Sequence, residues 1–266
     1  MTETCKIRPP LRYPGSKYRA YKYIEPFVNH AFYDEYREPF LGSGAVFFQK
    51  VLSQYTWLND LDDELINFYK IIQNPSLAKR MALEVCSFIP SKQTFESLKH
   101  SQPINGYDRA LKYFLINRTA YSGIMNMPNW GFHISKSVQP CQWGQRILFA
   151  AEKLQNCKIT SLDYEHVLFA PAQGKKILFF IDPPYFSADQ KRAYVKSFVS
   201  IEHIRLADNL KKLSHDFILT YDDCDEIRQL YSWANIYPVE FMYHTANSNV
   251  TTRKKGKEVI ITNFDL

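Results

Sequence analysis

Cysteine is sparse in this chain of 266 residues. The five present, Cys5, Cys86, Cys141, Cys157 and Cys224, are odd in number and contain no close pair. That spacing excludes a disulfide framework and a thiolate metal site, and it makes a reducing cytoplasm the expected compartment. Long apolar runs are also lacking. No stretch reaches the roughly 20 residues that cross a bilayer, so no membrane partner is expected. No apolar segment follows Met1-Thr2-Glu3-Thr4-Cys5-Lys6, so these residues do not read as a signal peptide. Repeats, low-complexity tracts and long linkers are missing too. What remains is one large α/β domain, or one domain with a smaller insert. Apolar residues make up 45% of the chain, enough for a sizeable core. The net charge of +6 is a mild excess, compatible with a polyanionic partner without requiring one. Aromatics are plentiful, with 18 Tyr and 19 Phe, and many tyrosines lie in polar surroundings where stacking on flat ligands is one use.

The strongest local signal is Ile177-Leu178-Phe179-Phe180-Ile181-Asp182-Pro183-Pro184-Tyr185. Five apolar residues in a row predict a strand buried on both faces, as in a parallel sheet. The two prolines end it. Asp182 and Tyr185 then stand just beyond the strand's carboxyl end, where open α/β sheets bind ligands. A rigid turn leaving a core strand explains the same residues equally simply.

From the N-terminus, Pro14-Gly15 predicts a turn and Ser16 a cap for a helix reaching about His30. Lys17 would lie in that helix's first turn, against the dipole, facing an anion or simply solvent. A weak strand signal over 32–40 leads into Gly42-Ser43-Gly44, a turn that lets a ligand approach the start of a helix. The third small residue of a dinucleotide fingerprint is lacking, since Phe47 stands there. Tyr55 to Asn59 predicts a second strand ending at Asp60, which is where nucleotide-binding βαβ units hold a ribose diol. Asp62, Asp63 and Glu64 fit the first turn of the next helix.

Residues 74–156 change character. Helices are predicted over 77–88, 92–100, 107–121 and 141–154, and Asn129-Trp130-Gly131 reads as the turn of a hairpin over 124–135. We take 74–156 as an insert into a sheet domain formed by 1–73 and 157–266. The sheet resumes over 157–163, where Asp163 could also cap a short helix. The stretch 187–200 reads as a mobile basic loop. A helix over 201–213, a strand over 217–221, another helix and two last strands, 236–243 and 258–263, follow. These last strands bracket a basic tip at 251–257, either solvated or suited to a phosphate backbone.

Taken in order, Arg12-Tyr13-Pro14-Gly15-Ser16-Lys17, Glu38-Pro39-Phe40-Leu41-Gly42-Ser43-Gly44, Asn59-Asp60, Asn117-Arg118-Thr119-Ala120-Tyr121-Ser122-Gly123, Asp182-Pro183-Pro184-Tyr185 and Glu258 to Asn263 make the chain resemble the DNA adenine-N6 methyltransferases of the Dam type. Tyr13 and Ser16 differ from the commoner tryptophan and glycine of that group. The resemblance implies a Rossmann-like sheet, mostly parallel with an antiparallel C-terminal strand, and a mainly helical target-recognition insert. It implies S-adenosylmethionine as donor and S-adenosylhomocysteine as product. Tyr13, Lys17, Phe40, Gly42, Gly44 and Asp182 would line the donor site, with Asp60 at the ribose and Asp163 at the donor's adenine amino group. Double-stranded DNA is the implied partner, met by Lys17, Arg118, Tyr121, Asn126, Asn129 and His133. No metal is implied. A monomer in a bacterial or phage-infected cell, close to nucleoid DNA and possible partner of a restriction endonuclease, completes the expectation.

The chemistry follows from the adenine amino group, whose lone pair is delocalised into the ring. Asp182 and the Pro183 carbonyl would each accept one of its N–H bonds, and Tyr185 would stack on the base. The base must leave the duplex, at a cost of a few kcal/mol. Cytosine-N4 methylation, RNA as substrate, a nicotinamide dehydrogenase and a DNA-binding protein without catalysis are the competing readings. The intact Asp182 to Tyr185 and the order of segments disfavour each of them.

Overall fold

The computed structural model of the chain describes residues 8–187, 198–242 and 255–266. The predicted basic loop, over 188–197, and most of the basic tip, over 251–254, lie outside the described residues.

Among the described residues seven strands form one sheet: β1 (Glu35–Glu38), β2 (Tyr55–Asn59), β3 (Lys158–Thr160), β4 (Ile177–Ile181), β5 (Asp216–Asp222), β6 (Asn235–Met242) and β7 (Lys255–Thr262). Their order is β3-β2-β1-β4-β5-β7-β6. All pairs are parallel except those made by β7, which runs antiparallel between β5 and β6. The apolar run of β4 is buried at all five positions, as a central parallel strand requires. β1 is its neighbour, and its sequence Glu-Tyr-Arg-Glu hides a strand inside polar residues. The explanation is Arg37, fully buried, whose guanidinium bonds Glu35 at 2.6 Å and the carbonyls of Val167, Ala170 and Pro171. Burying that charge is tolerable because each guanidinium nitrogen has a partner and Glu35 balances the charge.

The strand order reverses between β1 and β4. Their carboxyl ends therefore diverge around a crevice, the place where open α/β sheets take ligands. Both motif-bearing turns, one leaving β1 at Phe40 and one leaving β4 at Asp182, open on that crevice.

Among the described residues the helices are α1 (Tyr21–Val28), α2 (Asp63–Gln73), α3 (Pro75–Cys86), α4 (Lys92–His100), α5 (Gly106–Thr119), α6 (Trp143–Lys153), α7 (Tyr164–Phe169), α8 (Ser200–Lys212) and α9 (Asp225–Leu230). Side-chain caps start several of them: Asp62 for α2, Asn74 followed by Pro75 for α3, and Ser91 in a capping box for α4. Helices α2, α3, α5 and α6 bury Phe68, Met81, Phe114, Trp143 and Ile147 in the same apolar cluster as Ile24, Phe48 and Leu58 of the sheet domain, while α4 buries Phe95 in a smaller cluster with Ile116 and Ala120. The inserted helices thus share one core with a face of the sheet instead of standing apart from it.

Three local expectations are corrected. The first helix begins at Tyr21, not after Ser16, and its N-cap Ala20 makes no side-chain cap bond. Ser16 instead meets the Ser43 hydroxyl at 3.0 Å. The Gly42 turn opens no α-helix; residues 44–50 form a run of turns, packed through Val46, Phe47 and Phe48. The hairpin over 124–135 is reduced to one bridge, Ala120 with Trp130. Pro128 lacks the N–H that a ladder needs, Met127 sits at a φ of 45°, and Met125, Trp130 and Phe132 pack inward on Phe95, Ile116 and Trp143. Packing into the core, and not pairing with a partner strand, set the direction of these side chains.

Candidate active site

A cleft open to solvent lies at the switch point. Tyr13, Lys17, Glu38, Phe40, Gly42, Asp60 and Asp182 are among its lining residues. The cleft has one half around Gly42 and another around Asp182.

In the first half, Gly42 has a φ of +48°, and an added Cβ would stand 3.1 Å from the Tyr13 ring. Only glycine gives both the left-handed turn and the close approach. The Gly42 N–H donates to Asp60 Oδ2 at 2.8 Å, and the Asp62 N–H donates to Asp60 Oδ1 at 3.0 Å. Burial nevertheless pushes the Asp60 carboxyl up to about 6, opposed by those two bonds. Asn59 holds this end of the sheet together. Its amide donates to the Pro39 and Leu162 carbonyls, and its oxygen accepts from Thr160 and the Leu162 N–H. Glu38 lies deeper, accepting from Tyr36 Oη at 2.7 Å. Burial, with the charge of Asp182 adding to it, raises Glu38 to about 8 against the pull of Tyr36 and Lys50.

In the second half, Asp182 is held from both sides. Thr220 Oγ1, from β5, donates to Oδ1 at 2.6 Å, and Lys17 Nζ donates to Oδ2 at 2.9 Å. Lys17 is buried, also donates to the Gly15 carbonyl at 2.9 Å, and lies 4.7 Å from the centre of the Tyr185 ring. Each carboxylate oxygen has further acceptor capacity. The Pro183 carbonyl has no hydrogen bond among the described residues. The half-buried Tyr185 donates its hydroxyl proton to Glu258 Oε2 at 2.7 Å. Two fixed acceptors beside a flat ring suit an amino group on a planar base.

The insert is clamped to this site by Asn117. Its amide accepts from the Arg12 N–H at 2.8 Å and donates to the Arg12 carbonyl at 2.7 Å. Gly123, at φ +72°, lies so close that a Cβ would meet the Arg12 carbonyl oxygen at 2.7 Å.

Of the residues expected at the site, Tyr13, Lys17, Phe40, Gly42, Asp60 and Asp182 line the cleft together. Gly44, at φ +65°, shapes the turn and packs on Phe48. Asp163 does not line the cleft. Its Oδ1 caps α7 through the Glu165 N–H and its Oδ2 accepts from Arg205 at 2.7 Å. Lys17 is buried on Asp182, so an anion that it faces is the protein's own. Arg118 is likewise buried, against Trp143 and the Pro10 carbonyl, and burial with Arg146 and Arg12 nearby lowers it to about 9. A guanidinium under the chain cannot reach a phosphate without rearrangement. Tyr121, Asn129 and His133 are exposed and Asn126 is half-buried.

Thr220, Glu258 and Asn117 were not singled out as site residues from the sequence. The signal for Glu258 was its place in the terminal motif. For Thr220 there was none, since a threonine in an apolar strand looks like any other β residue.

This sheet order, with its reversed β7 and its acid-rimmed cleft, defines a Rossmann-like methyltransferase. Residues 13–245 match the model of the D12 class N6 adenine-specific DNA methyltransferases, and the chain belongs to that family. It is 25% identical to a Type II methyltransferase, M1.LlaDCHI, of Lactococcus lactis subsp. cremoris over 97% of this chain and 96% of that protein. It is also 25% identical to a DNA adenine methylase of Vibrio cholerae, over 96% and 95%. Among solved structures it aligns with the rRNA methyltransferase aviRa of Streptomyces viridochromogenes at 12% identity and a TM-score of 0.43, covering 99% of this chain and 90% of that one. The chain is therefore an enzyme of site-specific adenine-N6 methylation in DNA.

Proposed function

We propose that the cleft takes S-adenosylmethionine in its Gly42 half and a flipped-out adenine of duplex DNA in its Asp182 half. The observation that carries this is Asp182 itself: one carboxylate at the switch point, fixed by Thr220 and Lys17, facing the same cleft as Gly42 and Asp60. When bound, the donor supplies a methyl group on a positively charged sulfur. The chain's residues fit such a molecule. Asp60 would accept from ribose hydroxyls, the Gly42 backbone would let the donor approach, and the buried acid Glu38 would answer an ammonium. Asp163, committed to its helix and to Arg205, is left out of this proposal.

Asp182 and the Pro183 carbonyl would each accept one amino N–H. Those two bonds turn the nitrogen toward a tetrahedral arrangement, with its lone pair directed at the donor side. Lys17 keeps Asp182 in place, while Tyr185 holds the base plane. Positioning of this kind is enough for most of the rate. The amino proton leaves through Asp182 to water. Tyr121, exposed beside the clamp, would fill the space the base vacates; Asn126, Asn129 and His133 would face base edges. The working compartment would be the cytoplasm, as a monomer, with or without a restriction nuclease alongside.

Purified Asp182→Asn enzyme, given labelled S-adenosylmethionine and unmethylated duplex DNA, should form no detectable N6-methyladenine while still binding the donor. Parental activity in that variant would refute the assignment. Methylation-sensitive sequencing of DNA from cells expressing the chain would give the recognition site.

A further inference from the structure

We infer that Glu258 is a positioning residue for methyl transfer: it holds the ring of Tyr185 in register with the base by accepting its phenolic proton. The inference rests on the reading that Tyr185 stacks on the target adenine.

Glu258 sits on β7, directly opposite Asp222 on β5 in the antiparallel ladder. It is 2% exposed, and its Oε2 accepts from Tyr185 Oη at 2.7 Å. Its Oε1 is buried without a hydrogen-bond partner. Asp222 accepts from the N–H groups of Phe186 and Ser187, each at 2.9 Å. Two acids in one row of the sheet therefore grip three successive residues beyond the prolines: a side chain first, then two backbone amides. Among the described residues no cation is recorded in a hydrogen bond with Glu258; the charge that most favours its ionised form is that of Lys17, which also bonds Asp182. Leaving a carboxylate half-satisfied in a strand is costly, and an apolar residue of like size would make a more stable sheet. Stability is thus a poor account of this acid.

Geometry supplies a better one. The phenolic oxygen lies on the axis about which the ring spins. A hydrogen bond there cannot stop the spin, but it fixes the direction of the axis, and with it where the ring plane stands over the cleft. The spin is limited by two neighbours: Tyr221, with ring centres 5.9 Å apart and a 36° tilt, and the Lys17 ammonium. Rigid prolines at 183 and 184 set the start of the segment, and Glu258 sets its far end. A stacking ring misplaced by a fraction of an ångström would still bind DNA but would present the amino group badly to Asp182 and Pro183.

The test compares Glu258→Met, Tyr185→Phe and the double variant in steady-state methylation of unmethylated duplex DNA, beside thermal unfolding. Loss of one charge-assisted hydrogen bond predicts a kcat lowered by about tenfold or more in Glu258→Met, with KM for S-adenosylmethionine little changed and Tm equal to or above the parent. Tyr185→Phe should fall by the same factor, and the double variant no further, because both remove the same bond. Losses that multiply in the double variant, or a parental kcat in Glu258→Met, would overturn the inference. Glu258→Gln keeps an acceptor oxygen and should recover most of the rate, whereas a purely electrostatic role would leave it as slow as Glu258→Met. Tyr185→Ala separates the underlying reading. If it retains parental kcat and KM for DNA, the stacking role itself fails; if it is crippled while Glu258→Met is not, only the role of Glu258 fails.

Discussion

Replacing Lys17 with methionine should destabilise the protein through what it leaves behind. The Lys17 ammonium is buried 2.9 Å from both carboxylate oxygens of Asp182. At an effective dielectric of about 20, that separation corresponds to a gross attraction of roughly 6 kcal/mol. Desolvation of both groups offsets much of it, and breaking such a pair from one side typically costs about 3–5 kcal/mol. Asp182 keeps 22% of its side chain exposed and retains the Thr220 hydroxyl, so solvent screening brings the expected loss to about 2–3 kcal/mol. For a chain of this size that is a fall in Tm of about 4–6 °C. The diagnostic step is the double variant Lys17→Met/Asp182→Asn. With the stranded carboxylate neutralised, it should melt above Lys17→Met, although it carries one more substitution. Thermal unfolding by circular dichroism, followed at one pH and salt concentration, measures all four corners of this cycle. Additive losses, or a Lys17→Met variant within about 0.5 kcal/mol of the parent, would refute the view that Lys17 is there to hold Asp182.

Donor binding should depend on pH through Asp60, whose folded carboxyl is raised to about 6 by burial; affinity for S-adenosylmethionine, measured by calorimetry, should weaken as pH falls from 7 to 5, because the protonated acid loses acceptor capacity at the ribose. The same shift acts on stability in the opposite sense: the raised value favours folding most below the ordinary carboxylate range, and that contribution is lost as pH rises through about 6. Gly42→Ala should weaken donor binding by at least about tenfold, since its left-handed φ costs about 1–2 kcal/mol and the new methyl presses on Tyr13; an unchanged affinity would show that the turn does not approach the donor. Tyr121→Ala should leave Tm unchanged, because the ring is exposed, while a 2-aminopurine placed at the target base should report less extrusion.

Much of this site could be read from short motifs. Periodicity placed β2, β4 and β5 within a residue or two, and α4 at its observed ends. The prolines after β4 and the glycines after β1 announced chain reversals that local chemistry alone requires. Polar strands were harder. β1 is a strand only because Arg37 finds three carbonyls more than a hundred residues away, which no window of sequence contains. The hairpin over 124–135 was misread for a related reason: its apolar residues belong to a core made by α4, α5 and α6, so packing, not pairing, set their direction.

By itself the sequence determined the type of sheet, the order of the motif-bearing segments and the placing of an acid at the carboxyl end of β4, because each follows from residue chemistry within a few positions. Only the tertiary structure decided which groups act together. The burial of Lys17 against Asp182, the turning of Arg118 away from solvent, the commitment of Asp163 to its own helix, and the grip of Thr220 and Glu258 on the catalytic turn all depend on partners from distant strands. Charge and hydrogen-bond energies are set by distance and by the exclusion of water, and both are properties of the folded chain.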